Sequence, residues 1–87
     1  MLSIKVLGPG CANCERLKAA TKQALAMLGA EGRVEAVADP GQFRAYRLAA
    51  TPGLVVNEKL VCAGRVPSAS EVMTLIANVL ADEDRGS

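Results

Sequence analysis

Leu2-Ser3-Ile4-Lys5-Val6-Leu7-Gly8-Pro9-Gly10-Cys11-Ala12-Asn13-Cys14 changes its hydrophobic period partway along. Leu2, Ile4 and Val6 alternate with Ser3 and Lys5, the two-residue period of a strand with one buried face. Gly8-Pro9-Gly10 stops that strand, because neither residue type suits the interior of a ladder. Beyond it Cys14, Leu17, Thr21, Leu25 and Leu28 recur at helical spacing, with Glu15, Arg16, Lys18, Lys22 and Gln23 falling mostly elsewhere. The stretch therefore predicts a strand, a glycine-rich loop and a helix from Cys11 to about Ala30, closed by Gly29 and Gly32.

Working outward, Arg33 to Ala38 reads as a second strand. A strand joined to the next through a full helix pairs with it in parallel by a right-handed crossover. Asp39-Pro40-Gly41-Gln42 then offers a cap, a proline at the first helical position and a glutamine able to reach back, opening a short helix through about Leu48. Ala50-Thr51-Pro52-Gly53 breaks that helix before the extended run Leu54-Val55-Val56. Asn57-Glu58-Lys59 is a tight turn, Leu60-Val61-Cys62-Ala63 completes a hairpin, and Ser68-x-x-Glu71 is a capping box for a last helix through Val72, Leu75, Ile76, Val79 and Leu80. The expected fold class is α/β: a mixed four-stranded sheet, in the order strand, helix, strand, helix, strand, strand, helix, with helices on both faces. Residues 1–82 form one domain and 83–87 a frayed tail.

Composition narrows the function classes. With 87 residues there is room for one core and no second domain. Ten Lys plus Arg against nine Asp plus Glu leave a net charge of +1, without the basic excess that binding a phosphate backbone requires. One Tyr and one Phe provide no stacking platform for bases, so no nucleic acid is expected as a partner. Met1 to Leu7 shows no basic region leading into a long apolar stretch, and Val72 to Ala81, interrupted by Thr74 and Asn78, is too short to span a bilayer. The expectation is a cytoplasmic protein with no membrane partner.

There is no histidine and there are three cysteines, an odd number that cannot all pair within the chain. Without imidazole, chemistry falls to thiols, carboxylates or lysines. Cys11 and Cys14 stand at i and i+3 on the opening turn of the first helix, on one face and close enough for a disulfide. Cys11 is the outer of the two. The helix N-terminus favours its thiolate, lowering its pKa below the free value of about 8.5 and making it the nucleophile. Cys14, on the apolar stripe, is the resolving thiol. Such a pair exchanges disulfides without a cofactor. A C-x-x-C also serves zinc and iron-sulfur sites, but those want four ligands, and one further Cys and no His leave such a set incomplete; no metal site is expected.

Three motifs in this order, Gly8-Pro9-Gly10-Cys11-x-x-Cys14 after the first strand, Thr51-Pro52 heading a later strand and Gly64-Arg65-Val66-Pro67-Ser68 before the last helix, resemble the short prokaryotic thioredoxin-like proteins, the small redox-active disulfide proteins. The resemblance covers nearly the whole chain. It implies a minimal thioredoxin fold, βαβαββα, with three helices flanking the four strands, and a thiol-disulfide oxidoreductase that reduces protein disulfides through Cys11 and Cys14. It further implies a cis Thr51-Pro52 bond against the pair, with Thr51 offering backbone hydrogen bonds to a substrate chain and Pro52 keeping the dithiol free of metal. Gly10, Ala12 and Asn13 would share in the substrate surface. The implied partners are disulfide-containing proteins and an electron donor resembling thioredoxin reductase.

Gly10 and Ala12-Asn13 replace the Trp before the first Cys and the Gly-Pro between the cysteines of ordinary thioredoxin. Lys5 stands where that protein has a buried acid. A lysine facing the pair would favour the Cys11 thiolate; a lysine reaching to water would not. Cys62 is the remaining thiol, read as a small buried hydrophobe, with a third redox role as the alternative. Two other functions for the pair stay open: a soft-metal chaperone module, disfavoured by the order of the elements, and a redox sensor without turnover.

Overall fold

The computed structural model describes residues 2–10 and 12–86. Its elements are β1 (Leu2–Leu7), α1 (Ala12–Leu28), β2 (Gly32–Val37), α2 (Pro40–Ala45), β3 (Gly53–Val56), β4 (Lys59–Ala63) and α3 (Ala69–Gly86). The strands lie in the order β2-β1-β3-β4. β1 pairs β2 in parallel, with Ile4 opposite Val34 and Val6 opposite Ala36. β3 runs antiparallel to both β1 and β4. The expected α/β architecture, a mixed four-stranded sheet with three helices, is what the chain forms.

Side-chain alternation divides the sheet. Ile4 and Val6 of β1, Leu54 and Val56 of β3 and Cys62 of β4 share one core with Leu17, Ala24 and Leu25 of α1 and Val72, Ile76 and Val79 of α3. The helices contribute this face at a spacing of four and then three residues: Leu17, Thr21 and Ala24 on α1, Val72, Ile76 and Val79 on α3. Thr21 is the buried polar residue among them, and its hydroxyl donates to the Leu17 carbonyl at 2.7 Å, so no unpaired group enters the core. Lys5, Leu7 and Val55 project from the opposite side of the pleat, where Lys5 meets Tyr46 at the end of α2.

Turn chemistry explains most of the boundaries. α1 ends in a Schellman motif: Gly29 has φ +64°, its N–H reaches the Ala26 carbonyl at 3.2 Å, and the Ala30 N–H reaches the Leu25 carbonyl at 3.0 Å. Asp39 caps α2 by accepting from the Gly41 N–H at 3.0 Å, with Pro40 at the first position as expected. That helix closes at Ala45, short of Leu48, because Arg47 turns to φ +56°. Asn57 and Glu58, at φ +49° and +70°, make the two-residue β3–β4 turn of type I′ form that matches strand twist.

α3 departs from expectation in length. It continues to Gly86, through the acidic stretch expected to fray. Both oxygens of Glu83 accept from Asn57 Nδ2 at 3.0 Å, while Asn57 also bonds β1, its Oδ1 accepting from the Ser3 N–H at 2.9 Å and its N–H donating to the Ser3 carbonyl at 2.7 Å. One hairpin residue thus holds the start of β1 and the end of α3, a tertiary link that local propensity does not reveal.

Candidate functional site

The site is assembled where β1 ends, α1 begins and β3 is about to start. Gly8 follows the last residue of β1 and donates its N–H to the Val37 carbonyl at 2.9 Å, which holds the loop against the end of β2. Cys14 lies in the first turn of α1, 6% exposed, and packs into the same core as Val6, Leu17 and Leu54. Its burial follows from the sequence, since it is the first apolar position of the stripe that continues through Leu17 and Thr21. The sulfur lies so close over Gly8 that a Cβ there would overlap Sγ, and that same Cβ would sit 4.0 Å from the Cα of Pro52. Gly8 therefore forms the floor between Cys14 and Pro52.

Pro52 is buried and its bond to Thr51 is cis. The Pro52 carbonyl accepts from the Gly64 N–H at 2.9 Å, which ties the segment before β3 to the end of β4. Thr51 is exposed beside it. Gly10, Ala12 and Asn13 are also exposed, along the surface that leads into α1. The structure thus brings Cys14 and Pro52 together and leaves Thr51, Gly10, Ala12 and Asn13 open to solvent. Cys11 lies outside the described residues.

Lys5 is directed elsewhere. Its ammonium donates to the Tyr46 hydroxyl at 3.1 Å, lies 3.4 Å from a Glu58 carboxylate oxygen and stands 5.5 Å from the centre of the Tyr46 ring. Tyr46 in turn donates to Glu58 at 2.6 Å. The Tyr46 hydrogen bond, with the Tyr46 and Glu58 charges behind it, raises the Lys5 pKa against a smaller opposing effect of desolvation. The same hydroxyl, followed by the Lys5 charge, lowers that of Glu58. This cluster joins α2 to the sheet on the face opposite Cys14.

Cys62 is 8% exposed, in the core and opposite Leu54 on β3. Beyond it Arg65 pairs with Glu71 at the start of α3, and the Glu71 N–H donates to Ser68 Oγ at 3.2 Å, giving the capping-box bond its expected partner. The Glu71 contact raises the Arg65 pKa first, with the nearby Cys62 second, and Arg65 lowers that of Glu71.

Gly8 is the site residue that sequence reading passed over. Within Gly8-Pro9-Gly10 it reads as a strand breaker, and only the sulfur lying over it shows why a side chain is excluded. A visible signal was its place directly after an alternating strand and six residues before a buried Cys, since a glycine there often marks close approach of another group.

No helix among the described residues is long and apolar enough to cross a membrane, and those residues contain no group of three or more His, Cys, Asp or Glu placed to hold a metal ion. Residues 2–77 match the family profile described as a thioredoxin domain. A protein named thioredoxin from Methanothermobacter thermautotrophicus is 34% identical over 77 residues, 88% of this chain and all of that one. A second protein of that name, from Methanocaldococcus jannaschii, is 28% identical over 72 residues, 83% of each chain. With that profile over the strands and helices just described, and a relative aligned along its full length, this chain belongs to the thioredoxin domain family, among its short prokaryotic members.

Proposed function

We propose that the protein is a thiol-disulfide oxidoreductase that reduces disulfide bonds in other proteins, with Cys11 as nucleophile and Cys14 as resolving thiol. The observation that carries this reading is the placement of Cys14, buried in the opening turn of α1 with its sulfur over Gly8 and next to Pro52, in a chain of the thioredoxin domain family. A sulfur so placed is shielded from outside reagents, and Cys11 precedes it by three residues in the sequence, the spacing of a C-x-x-C pair.

The reaction balances with sulfur alone. The Cys11 thiolate attacks one sulfur of a substrate disulfide; a Cys11–substrate disulfide forms and the other substrate sulfur leaves as a thiolate that takes up a proton. Cys14 then gives up its proton and attacks the Cys11 sulfur, which releases the second substrate thiol and leaves a Cys11–Cys14 disulfide. Two electrons have passed to the substrate. A dithiol donor of the thioredoxin-reductase kind returns them and restores both thiols. Thr51, Gly10, Ala12 and Asn13 form the rim against which the substrate chain lies, and Thr51 presents main-chain groups to it. The compartment that suits this chemistry is the cytoplasm, where protein thiols are kept reduced.

The test is trapping. Incubated with a disulfide-containing protein, Cys14→Ser accumulates a mixed disulfide through Cys11, whereas Cys11→Ser reacts with nothing and neither variant turns over. Stoichiometric binding of Cu(I) or Zn(II) by the reduced protein, with no mixed disulfide in the Cys14→Ser variant, would overturn the proposal in favour of metal handling.

A further inference from the structure

Among the described residues the outer edge of β2 pairs with no other strand, since the strand order places β2 outermost. Its hydrogen-bonding pattern can be read from the two bonds that bracket it, Leu2 N–H to the Glu31 carbonyl and Gly8 N–H to the Val37 carbonyl. In a parallel ladder the bonding residues alternate. Arg33, Glu35 and Val37 therefore turn their main-chain groups toward β1, and Gly32, Val34 and Ala36 turn theirs outward. An open row of alternating donors and acceptors is a template for another strand.

The side chains on this edge select one occupant. Arg33 and Glu35 are exposed and share one face of the pleat, while Val34 between them turns to the other, toward the core. A second copy of β2 laid antiparallel with Val34 opposite the partner's Val34 puts the outward groups of Gly32, Val34 and Ala36 in register with those of the partner's Ala36, the partner's Val34 and the partner's Gly32. In that register Arg33 faces the partner's Glu35 and Glu35 faces the partner's Arg33, both at non-hydrogen-bonded positions where side chains come closest. A shift to the neighbouring allowed registers sets Arg33 against the partner's Arg33, or Glu35 against the partner's Glu35. Charge thus favours the two-fold register and opposes its neighbours.

The other face agrees with this arrangement. A cleft of about 380 Å³ beside the edge is lined by Lys22, Leu25, Ala30, Glu31, Gly32 and Val34. In the two-fold register the partner's Ala36 and the partner's Val34 carry their methyl groups on the side of the sheet from which Val34 packs toward the core, beside the mouth of this cleft. Pro52 and β3 lie on the other side of β1 and remain uncovered.

We propose that this chain self-associates into a two-fold dimer through antiparallel pairing of β2 with β2 centred on Val34, forming a continuous eight-stranded sheet. The inference is independent of the redox reading. Sedimentation velocity in low salt from about 10 µM to about 1 mM should show a reversible monomer–dimer equilibrium weakened by salt, the range suited to a small strand-edge interface. Arg33→Glu, which sets like charges opposite each other at both contacts, should weaken dimerisation about tenfold or more, and Arg33→Glu with Glu35→Arg should restore it. Both positions are exposed and face solvent in the monomer, so the fold tolerates the exchange. Concentration-dependent slowing of amide exchange at Val34 should accompany assembly, while Arg33 and Glu35, already bonded to β1, should change little. A protein that is monomeric across this range, a dimer indifferent to Arg33→Glu, or a double variant that stays as weak as the single one would each overturn the proposal.

Discussion

At the scale of single residues, the sulfur of Cys14 depends on a missing side chain. Gly8 has no Cβ, and the space that a Cβ would occupy is filled by Cys14 Sγ, with Pro52 at its far side. Gly8→Ala must move the sulfur or the Gly8 backbone, and both are buried with little room to relax. The expected outcome is a loss of about 1 to 3 kcal/mol in urea unfolding. Under the proposed reaction, displacement of the Cys14 sulfur should also lower the rate of insulin disulfide reduction on the order of ten- to a hundredfold. Wild-type turnover in the variant would show that the sulfur does not need this position. The residue type was legible as a loop former; its role was not, because the group it makes room for lies one loop further along the chain and is brought back over it by α1.

At the scale of elements, α2 has no buried residue of its own and is held to the sheet partly by polar contacts. Tyr46 links Lys5 of β1 to Glu58 of the β3–β4 turn, and the three groups order one another. Glu58 has a lowered pKa in the folded protein, so its contribution is present above the unfolded carboxylate value, about 4.3, and is lost as pH falls through the lower folded value. For Lys5, whose pKa is raised, the contribution is present below its unfolded value and is lost as pH rises through the higher folded one. Glu58 is well exposed and Lys5 about one-fifth exposed, at 66% and 21% of their side chains, so the effect is small and partly screened by salt. Urea midpoints measured from pH 7 down to about pH 3 should fall less steeply in Glu58→Gln than in the parent; parallel curves would remove Glu58 from the acid response. Lys5 illustrates what a strand pattern conceals: alternation put it on a face, but which helix end and which turn meet that face depends on the docking of α2.

At the scale of the whole molecule, the main core among the described residues lies between the sheet and the α1–α3 pair, and in a domain of this size it carries most of the stability. Ile76 is fully buried in it. Ile76→Ala should cost about 2 to 5 kcal/mol, a large share of the roughly 5 to 15 kcal/mol typical of a domain, while leaving the denaturant slope unchanged. A loss below about 1 kcal/mol in urea unfolding would mean that the α1–α3 interface is not tightly packed around this side chain.

Local rules were enough for much of this architecture. Two-residue alternation marked β1, the period of α1 and α3 marked their buried faces, and Gly29, Asp39, Pro40 and Ser68 marked helix ends, because each effect acts within a turn or two of the residue that causes it. The placement of Cys14 in the first turn of α1 was equally local. Tertiary structure alone decided how far α3 runs, since Glu83 is held by Asn57 from the hairpin, and where the Lys5 ammonium goes. It alone set Gly8, Cys14 and Pro52 against one another, since β1 and β3 must pair before Pro52 reaches the end of α1. Sequence periodicity reports which face of an element is buried; which groups meet there depends on strand order and helix docking, contacts between residues far apart in the chain.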